Sequence, residues 1–260
     1  MAHNRRVNIL GVGVSAIAMP DALEIIESWI SRRGHHYVCV ANVHGIMESQ
    51  HDEDLRRTYN VAGLVTPDGM PLVWVSRLRG YPNVRRVYGP DLMLSVCERS
   101  VSKQYTHFLY GGEEGVAQKL RLRLEEQFPG LRIVGSHTPP FRKHTAREDE
   151  EVVREINDTK PDIVWVGLGT PKQEHWMAAH VDRLTAPVLI GVGAAFDFLA
   201  GTKRQAPVWM QKAGLEWSFR LLSEPRRLWR RYLLYNPQFT LLVLLQTLGI
   251  KPYSGSEGAI

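Results

Sequence analysis

The stretch Ile163-Val164-Trp165-Val166-Gly167-Leu168-Gly169-Thr170-Pro171-Lys172-Gln173-Glu174 decides the fold class. Four apolar residues read as a buried strand. Two glycines then open a turn, and Pro171 is suited to start a helix because its missing N–H is not needed there. Working outward, the same succession recurs. Strands are expected at Val7–Leu10, Tyr37–Ala41, Leu64–Val65, His107–Tyr110, Leu131–Val134, Ile163–Val166 and Val188–Val192. Helical periodicity lies between them. Pro20-Asp21 opens one helix with Leu23, Ile26, Trp29 and Ile30 on one face, and Gly34 closes it. Others are expected at Asp52–Asn60, Met70–Leu78, Asp91–Lys103, Glu113–Phe128, Thr145–Asn157 and Lys172–His180. This alternation predicts an α/β, Rossmann-like fold: a largely parallel sheet with helices on both faces and ligands beyond the carboxyl ends of the strands.

After about Gly201 the pattern changes. No further strand is evident, and Trp209, Trp217, Trp229, Tyr232 and Tyr235 are interleaved with arginines. The organisation expected is a catalytic α/β domain over residues 1–200, a basic, aromatic helical appendage over 201–250, and a disordered tail over 251–260.

Charge follows the same division. The 260 residues carry a net charge of +5, yet residues 1–200 hold 23 Lys/Arg against 24 Asp/Glu. Residues 201–235 hold eight Lys/Arg against two Glu. A local excess of this kind suits an anionic partner at that place, while the near-neutral body argues against a broad nucleic-acid track. Two cysteines, Cys39 and Cys97, give no disulfide framework. No apolar run reaches the ~20 residues that span a bilayer. The longest candidate, Phe239–Ile250, is suited at most to lying on one.

Several segments carry candidate chemistry. Asp68, in Thr66-Pro67-Asp68-Gly69, is either a turn residue or a carboxylate at a strand tip placed to deprotonate a hydroxyl. Gly169 and Gln173 belong to a turn where the backbone can approach a ligand and where Gln173 offers a donor and an acceptor, or to an ordinary strand-to-helix turn. Gly193 and Asp197, in Gly191-Val192-Gly193-Ala194-Ala195-Phe196-Asp197, repeat the design, with Asp197 bonding a sugar hydroxyl or capping a helix. Gly11-Val12-Gly13-Val14-Ser15-Ala16 matches the dinucleotide pattern but lacks the acidic residue after the second strand, so no nicotinamide or flavin cofactor is expected. Asp52-Glu53-Asp54 stands at a helix start, and the histidines show no ligand spacing, so no metal is expected. Arg227 shares a helix side with Arg231 (i,i+4) and with Arg230 (i,i+3), and with Arg220 these arginines suit a diphosphate or an anionic lipid surface.

Taken together, these segments resemble the WecG/TagA/CpsF family of bacterial glycosyltransferases, over about Ile9–Phe239. The resemblance rests on Asn42, on Thr66-Pro67-Asp68-Gly69-Met70-Pro71, and on Arg86-Val87-Tyr88-Gly89-Pro90-Asp91-Leu92. It rests also on Gly169-Thr170-Pro171-Lys172-Gln173-Glu174, Gly191–Phe198, Arg204–Met210 and Gly214-Leu215-Glu216-Trp217. The resemblance implies a metal-independent, inverting enzyme that takes a hexose-type sugar (N-acetylmannosamine, its uronate or glucose) from a UDP-sugar. The acceptor would be a polyprenyl-diphosphate-linked sugar at the inner face of the plasma membrane, in cell-surface polysaccharide biosynthesis. It implies Asp68 as general base, Arg86 as an active-site arginine, Asn42 at the substrate, and Arg220, Arg227 and Arg230 brought to the active site and membrane by the appendage. Many members carry Thr two residues before the asparagine where this chain has Val40, so the donor identity is not carried over. A homo-oligomer is compatible with the sequence. A non-catalytic nucleotide- or lipid-binding adaptor is the alternative from another class.

Overall fold

The computed structural model describes residues 5–140, 142 and 145–254. The chain runs β1 (Arg6–Ile9), β2 (Val12–Ser15), α1 (Met19–Arg32), β3 (His36–Ala41), α2 (Val43–Glu48), α3 (Glu53–Val61), β4 (Leu64–Pro67) and α4 (Met70–Leu78). It continues through α5 (Gly89–Lys103), β5 (Thr106–Gly111), α6 (Val116–Gln127), β6 (Arg132–His137), α7 (Ala146–Thr159), β7 (Ile163–Gly167) and α8 (Lys172–His180). The last elements are β8 (Val188–Gly191), α9 (Ala195–Leu199), α10 (Val208–Lys212), α11 (Glu216–Ser223) and α12 (Pro225–Thr247). Each strand expected from the sequence is present, with ends that coincide or shift by up to three residues, and α4 and α8 fall on their expected bounds. The α/β class with a parallel sheet flanked by helices holds.

The first strand is where expectation and structure part. Val7–Leu10 was expected to belong to the βα alternation, but β1 pairs antiparallel with β2 in a separate two-stranded sheet, Ile9 opposite Val12. The Leu10-Gly11 loop between them has φ of 52° and 85°, both left-handed, as a two-residue hairpin turn of the primed type demands. The glycine pattern at 11–13 is therefore hairpin chemistry. Asn60 ties the turn down, donating to the Gly11 carbonyl and accepting from Gly13 N–H, both at 2.9 Å.

Two compact units emerge, and they do not follow the expected division near residue 200. One comprises residues 20–39 and 89–204. Here β3, β8, β7, β5 and β6 lie in that order with every ladder parallel, which the intervening helices α1 and α5–α9 make possible. Trp165, Phe108 and Phe196 are fully buried in it. Trp165 Nε1 donates to His107 Nδ1 at 2.9 Å, and burial pulls the His107 pKa down to about 4, so that ring is neutral and able to accept.

The other unit comprises residues 1–19, 40–88 and 205–260. The β1–β2 hairpin, α2–α4 and β4 belong to it, and so do the helices expected to be a separate appendage. Asp68 N–H donates to the Ala41 carbonyl at 2.9 Å, which ties the residue after β4 to the segment before α2. Helix α12 is held by buried Leu228 and Phe239, by Tyr235 OH donating to Glu48 Oε1 at 2.9 Å, and by Gln246. The Gln246 oxygen accepts from Leu10 N–H at 3.1 Å and from Arg79 Nη2 at 2.7 Å. Asn8 Nδ2 in turn donates to the Tyr253 carbonyl at 2.8 Å, so the chain is anchored as far as that residue. The expected disordered tail does not start at 251, and residues 255–260 lie outside the described residues.

β5 and β7 end on facing glycines, Gly111 and Gly167. A Cβ on Gly111, whose φ is 122°, would stand 2.7 Å from the Gly167 carbonyl carbon, whereas one on Gly115 (φ 78°) would meet nothing within 4 Å. Gly115→Ala is expected to destabilise by about 1–2 kcal/mol through its left-handed backbone alone. Gly111→Ala should exceed about 3 kcal/mol, because backbone must also move. Chemical denaturation midpoints of the two variants check this, and equal losses would contradict the close-approach account.

Candidate active site

In the unit built from residues 1–19, 40–88 and 205–260, β4 ends at Pro67 and α4 starts at Met70, so Asp68 and Gly69 form the strand-to-helix junction. The Asp68 carboxylate sits at the tip of β4, with side-chain exposure of 16%. The segment bearing Arg86 is pinned alongside, because Val87 N–H donates to the Pro67 carbonyl at 3.0 Å and Arg85 N–H to Ile17 at 3.3 Å. Arg86 then spans the junction. Its Nε donates to the Asp68 carbonyl oxygen and its Nη2 to Asp68 Oδ1 at 3.2 Å. The same Nη2 donates to Glu216 Oε2 at 2.6 Å, and the guanidinium carbon lies 4.0 Å from the centre of the Tyr88 ring. Tyr88 OH donates to Glu216 Oε1 at 3.4 Å, and Gln205 Nε2 reaches that hydroxyl at 3.5 Å.

The electrostatics follow from this packing. Burial pushes the Asp68 carboxyl up and the Glu216 carboxylate adds to the rise; Arg86 and Arg220 oppose it, and the net is a pKa of about 7. Burial and the two carboxylates push Tyr88 upward as well, so its hydroxyl stays protonated and donates. Arg86 is raised despite its burial, because both carboxylates favour its charge.

Of the three arginines expected from the C-terminal helices, only Arg220 reaches Asp68. It lies one turn after Glu216 on α11, which sets both on one face. Arg227 is exposed and pairs with Glu224 at 2.6 Å, though its field reaches Arg231 and Tyr232. Arg230 is exposed, 5.3 Å from the Trp229 ring centre. Arg231 takes the inward place instead, half-buried near Tyr232, Arg220 and Glu48, and burial with its arginine neighbours pulls its pKa down. One residue turns the helix about 100°, enough to exchange an inward for an outward guanidinium. Asn42 caps α2, its Oδ1 accepting from Gly45 N–H at 3.2 Å, and it lies against Gly69.

In the unit built from residues 20–39 and 89–204, Gly169, Gln173 and Gly193 do come together at the carboxyl ends of β7 and β8. Gln173 is 3% exposed; its Oε1 accepts from Gly169 N–H at 3.2 Å and its Nε2 donates to Glu174 Oε1 at 3.1 Å. A Cβ on Gly193 would lie 3.3 Å from that Oε1. Gln173, expected to face a ligand with both ends of its amide, is thus also an internal brace. Asp197 is engaged elsewhere, by Lys203 Nζ at 2.9 Å and Thr202 Oγ1 at 3.2 Å, which fixes the turn after α9.

Glu216, Tyr88 and Gln205 carry no individual role in the sequence, although they stand within the motifs quoted above. The signal available was the Glu216/Arg220 spacing, one acidic and one basic residue on the same helix face. Among the described residues, no group of three or more His, Cys, Asp or Glu side chains is arranged to hold a metal ion. Asp52 caps α3 by accepting from Leu55 N–H at 2.9 Å, and Glu53 and Asp54 pair with Arg56 and Arg57.

Residues 7–252 match the sequence model of the glycosyl transferase WecG/TagA/CpsF family. An N-acetylglucosaminyldiphosphoundecaprenol N-acetyl-beta-D-mannosaminyltransferase of Bacillus spizizenii is 30% identical over 217 residues, covering 84% of this chain and 82% of the relative. A Staphylococcus aureus protein of the same name is 27% identical over 231 residues, covering 88% and 89%. By the match over residues 7–252 and by these relatives, this chain belongs to the WecG/TagA/CpsF family of glycosyltransferases.

Proposed function

We propose that the chain is an inverting, metal-independent glycosyltransferase that moves a hexose from a UDP-sugar to a polyprenyl-diphosphate-linked sugar in cell-surface polysaccharide synthesis. N-acetylmannosamine is the sugar favoured by the relatives' names. The observation that carries this reading is the Asp68 carboxyl at a strand tip with its pKa pushed up to about 7. A base with a pKa near the working pH is half ionised there yet strong enough to draw a proton from a hydroxyl. In this mechanism the acceptor hydroxyl gives its proton to Asp68 as its oxygen bonds to the anomeric carbon. The bond from that carbon to the diphosphate breaks on the opposite face, and the electron pair leaves with UDP. A β-linked product, as in the relatives' names, results from one such inversion of an α-linked donor.

Arg86 and Arg220 are assigned to the charge that develops on the leaving diphosphate, the work a divalent cation does in other glycosyltransferases. Asn42 uses its oxygen on Gly45 and keeps its amide nitrogen to donate to a sugar hydroxyl. In the other unit, Gln173 braces Gly169 and Gly193, and Asp197 fixes the turn at Thr202-Lys203. Asp68→Asn should lower turnover by roughly 10²–10⁴-fold with the fold retained. Near-normal turnover in a folded variant, followed by product mass with UDP-sugar and a short prenyl-diphosphate sugar, would remove Asp68 from the role. Excess EDTA is expected to leave the rate unchanged. Abolition by EDTA with recovery on Mg²⁺ or Mn²⁺ would contradict the metal-free mechanism.

The enzyme is further assigned to the cytoplasmic face of the plasma membrane as a peripheral protein. No helix of the described residues is long and apolar enough to cross a membrane. Helix α12, however, exposes Trp229, Leu233, Leu241 and Leu244 beside the exposed Arg226, Arg227 and Arg230, the composition of an interfacial helix. Removing the whole segment from Gly201 would uncover the contacts of Leu228 and Phe239, so point changes are the cleaner test. Arg226→Gln with Arg230→Gln should weaken binding to anionic vesicles about 30-fold, at ~1 kcal/mol per basic residue. Unchanged co-sedimentation would place the membrane contact elsewhere.

A further inference from the structure

We propose that Glu216 is a positioning residue for the transfer reaction: through the Arg86 guanidinium it shares with Asp68, it holds the carboxylate at position 68 as a strong base at neutral pH. This rests on the assignment of Asp68 as the base. The geometry is that of a bridge. Arg86 Nη2 is 3.2 Å from Asp68 Oδ1 and 2.6 Å from Glu216 Oε2, so the closer and shorter bond goes to the residue not assigned to the chemistry. Both carboxylates have 16% side-chain exposure and the arginine 17%, so water screens the three charges poorly. Glu216 is itself oriented by the hydroxyl of Tyr88, and Tyr88 carries the guanidinium on its ring face.

The groups facing Asp68 come from two elements: Arg86 and Tyr88 from the segment before α5, and Glu216 and Arg220 from α11. Tyr232 on α12 also feels the Glu216 charge. An ionised Glu216 repels an ionised Asp68 and draws off part of the Arg86 guanidinium that would otherwise stabilise it. Both effects favour the protonated aspartic acid, so both raise its proton affinity. Replacing Glu216 with an uncharged group of the same shape removes both, and the Asp68 carboxyl falls part of the way toward the ordinary aspartate value of about 3.9, the rise due to its burial remaining. A weaker base takes a proton from the acceptor less well, so the plateau rate falls as the acid limb of the pH profile moves down.

The test is the pH dependence of kcat/KM for the full chain and for Glu216→Gln, Glu216→Asp and Asp68→Asn. The carboxyl-carbon NMR titration of Asp68 in the resting protein is followed in parallel. Glu216→Gln is expected to shift the acid limb and the resting titration from near pH 7 toward the ordinary aspartate range. Its plateau loss should be smaller than that of Asp68→Asn. Glu216→Asp, which keeps the charge, should restore both readouts toward pH 7. A purely structural Glu216 would lower the rate without moving either titration, and that result overturns the proposal. Loss in Glu216→Gln as deep as in Asp68→Asn would also overturn it, since Glu216 would then take the proton itself. Near-normal turnover in Asp68→Asn would instead sink the assignment of the base, while the resting titration would still report whether Glu216 governs Asp68.

Discussion

One guanidinium bonded to two carboxylates is the constraint around which this part of the chain is organised. Two unit charges at about 4 Å interact by ~4 kcal/mol at the effective dielectric typical of protein surfaces, so Asp68 and Glu216 cannot both be ionised cheaply without Arg86 between them. Arg86 cannot be spared either: withdrawing one partner from a buried ion pair is destabilising by about 3–5 kcal/mol. The arrangement leaves Asp68 with a proton affinity above that of a solvated aspartate, because its burial and the second carboxylate outweigh the arginines. A carboxylate in that state is a better proton acceptor than a fully compensated one.

Each partner is delivered by a different piece of backbone, which is why the interaction depends on so much of its unit. Asp68 stands one residue beyond β4, held by its own N–H on Ala41. Arg86 is aligned by the bond from Val87 to Pro67. Glu216 arrives at the first turn of α11, after the turn at Gly214 packs against Trp74. The C-terminal helices are therefore not an accessory to this unit. Their buried Leu228 and Phe239 and the Gln246 bonds to the hairpin place the Glu216 and Arg220 side chains as much as they place each other.

The parallel sheet was legible in the sequence because its strands are short apolar runs separated by segments of helical period, and both signals are local. The hairpin was not, since Gly11-Val12-Gly13 satisfies a phosphate-loop pattern and a left-handed turn equally well; only the pairing of Ile9 with Val12 distinguishes them. The unit boundaries were also hidden. Composition divides the chain near 200, whereas contacts join residues 205–254 to 40–88, and such long-range contacts leave no local trace. At the site, Asp68 and Arg86 were reached through motif resemblance, and the structure sets them 3.2 Å apart. The i,i+3 and i,i+4 spacings gave shared helix sides but not which side faces inward: Arg230 lies outward and Arg231 is half-buried. Glu216 was passed over because an acidic residue in a basic segment reads as charge balance until its partner is visible.

The most direct test of the shared-guanidinium account is the pH dependence of kcat/KM for the unsubstituted protein under saturating acceptor lipid. An acid limb centred near pH 7, where the Asp68 carboxyl ionises, is the predicted result. A limb at the ordinary aspartate value of about 3.9, with full activity retained through pH 5–6, would contradict it.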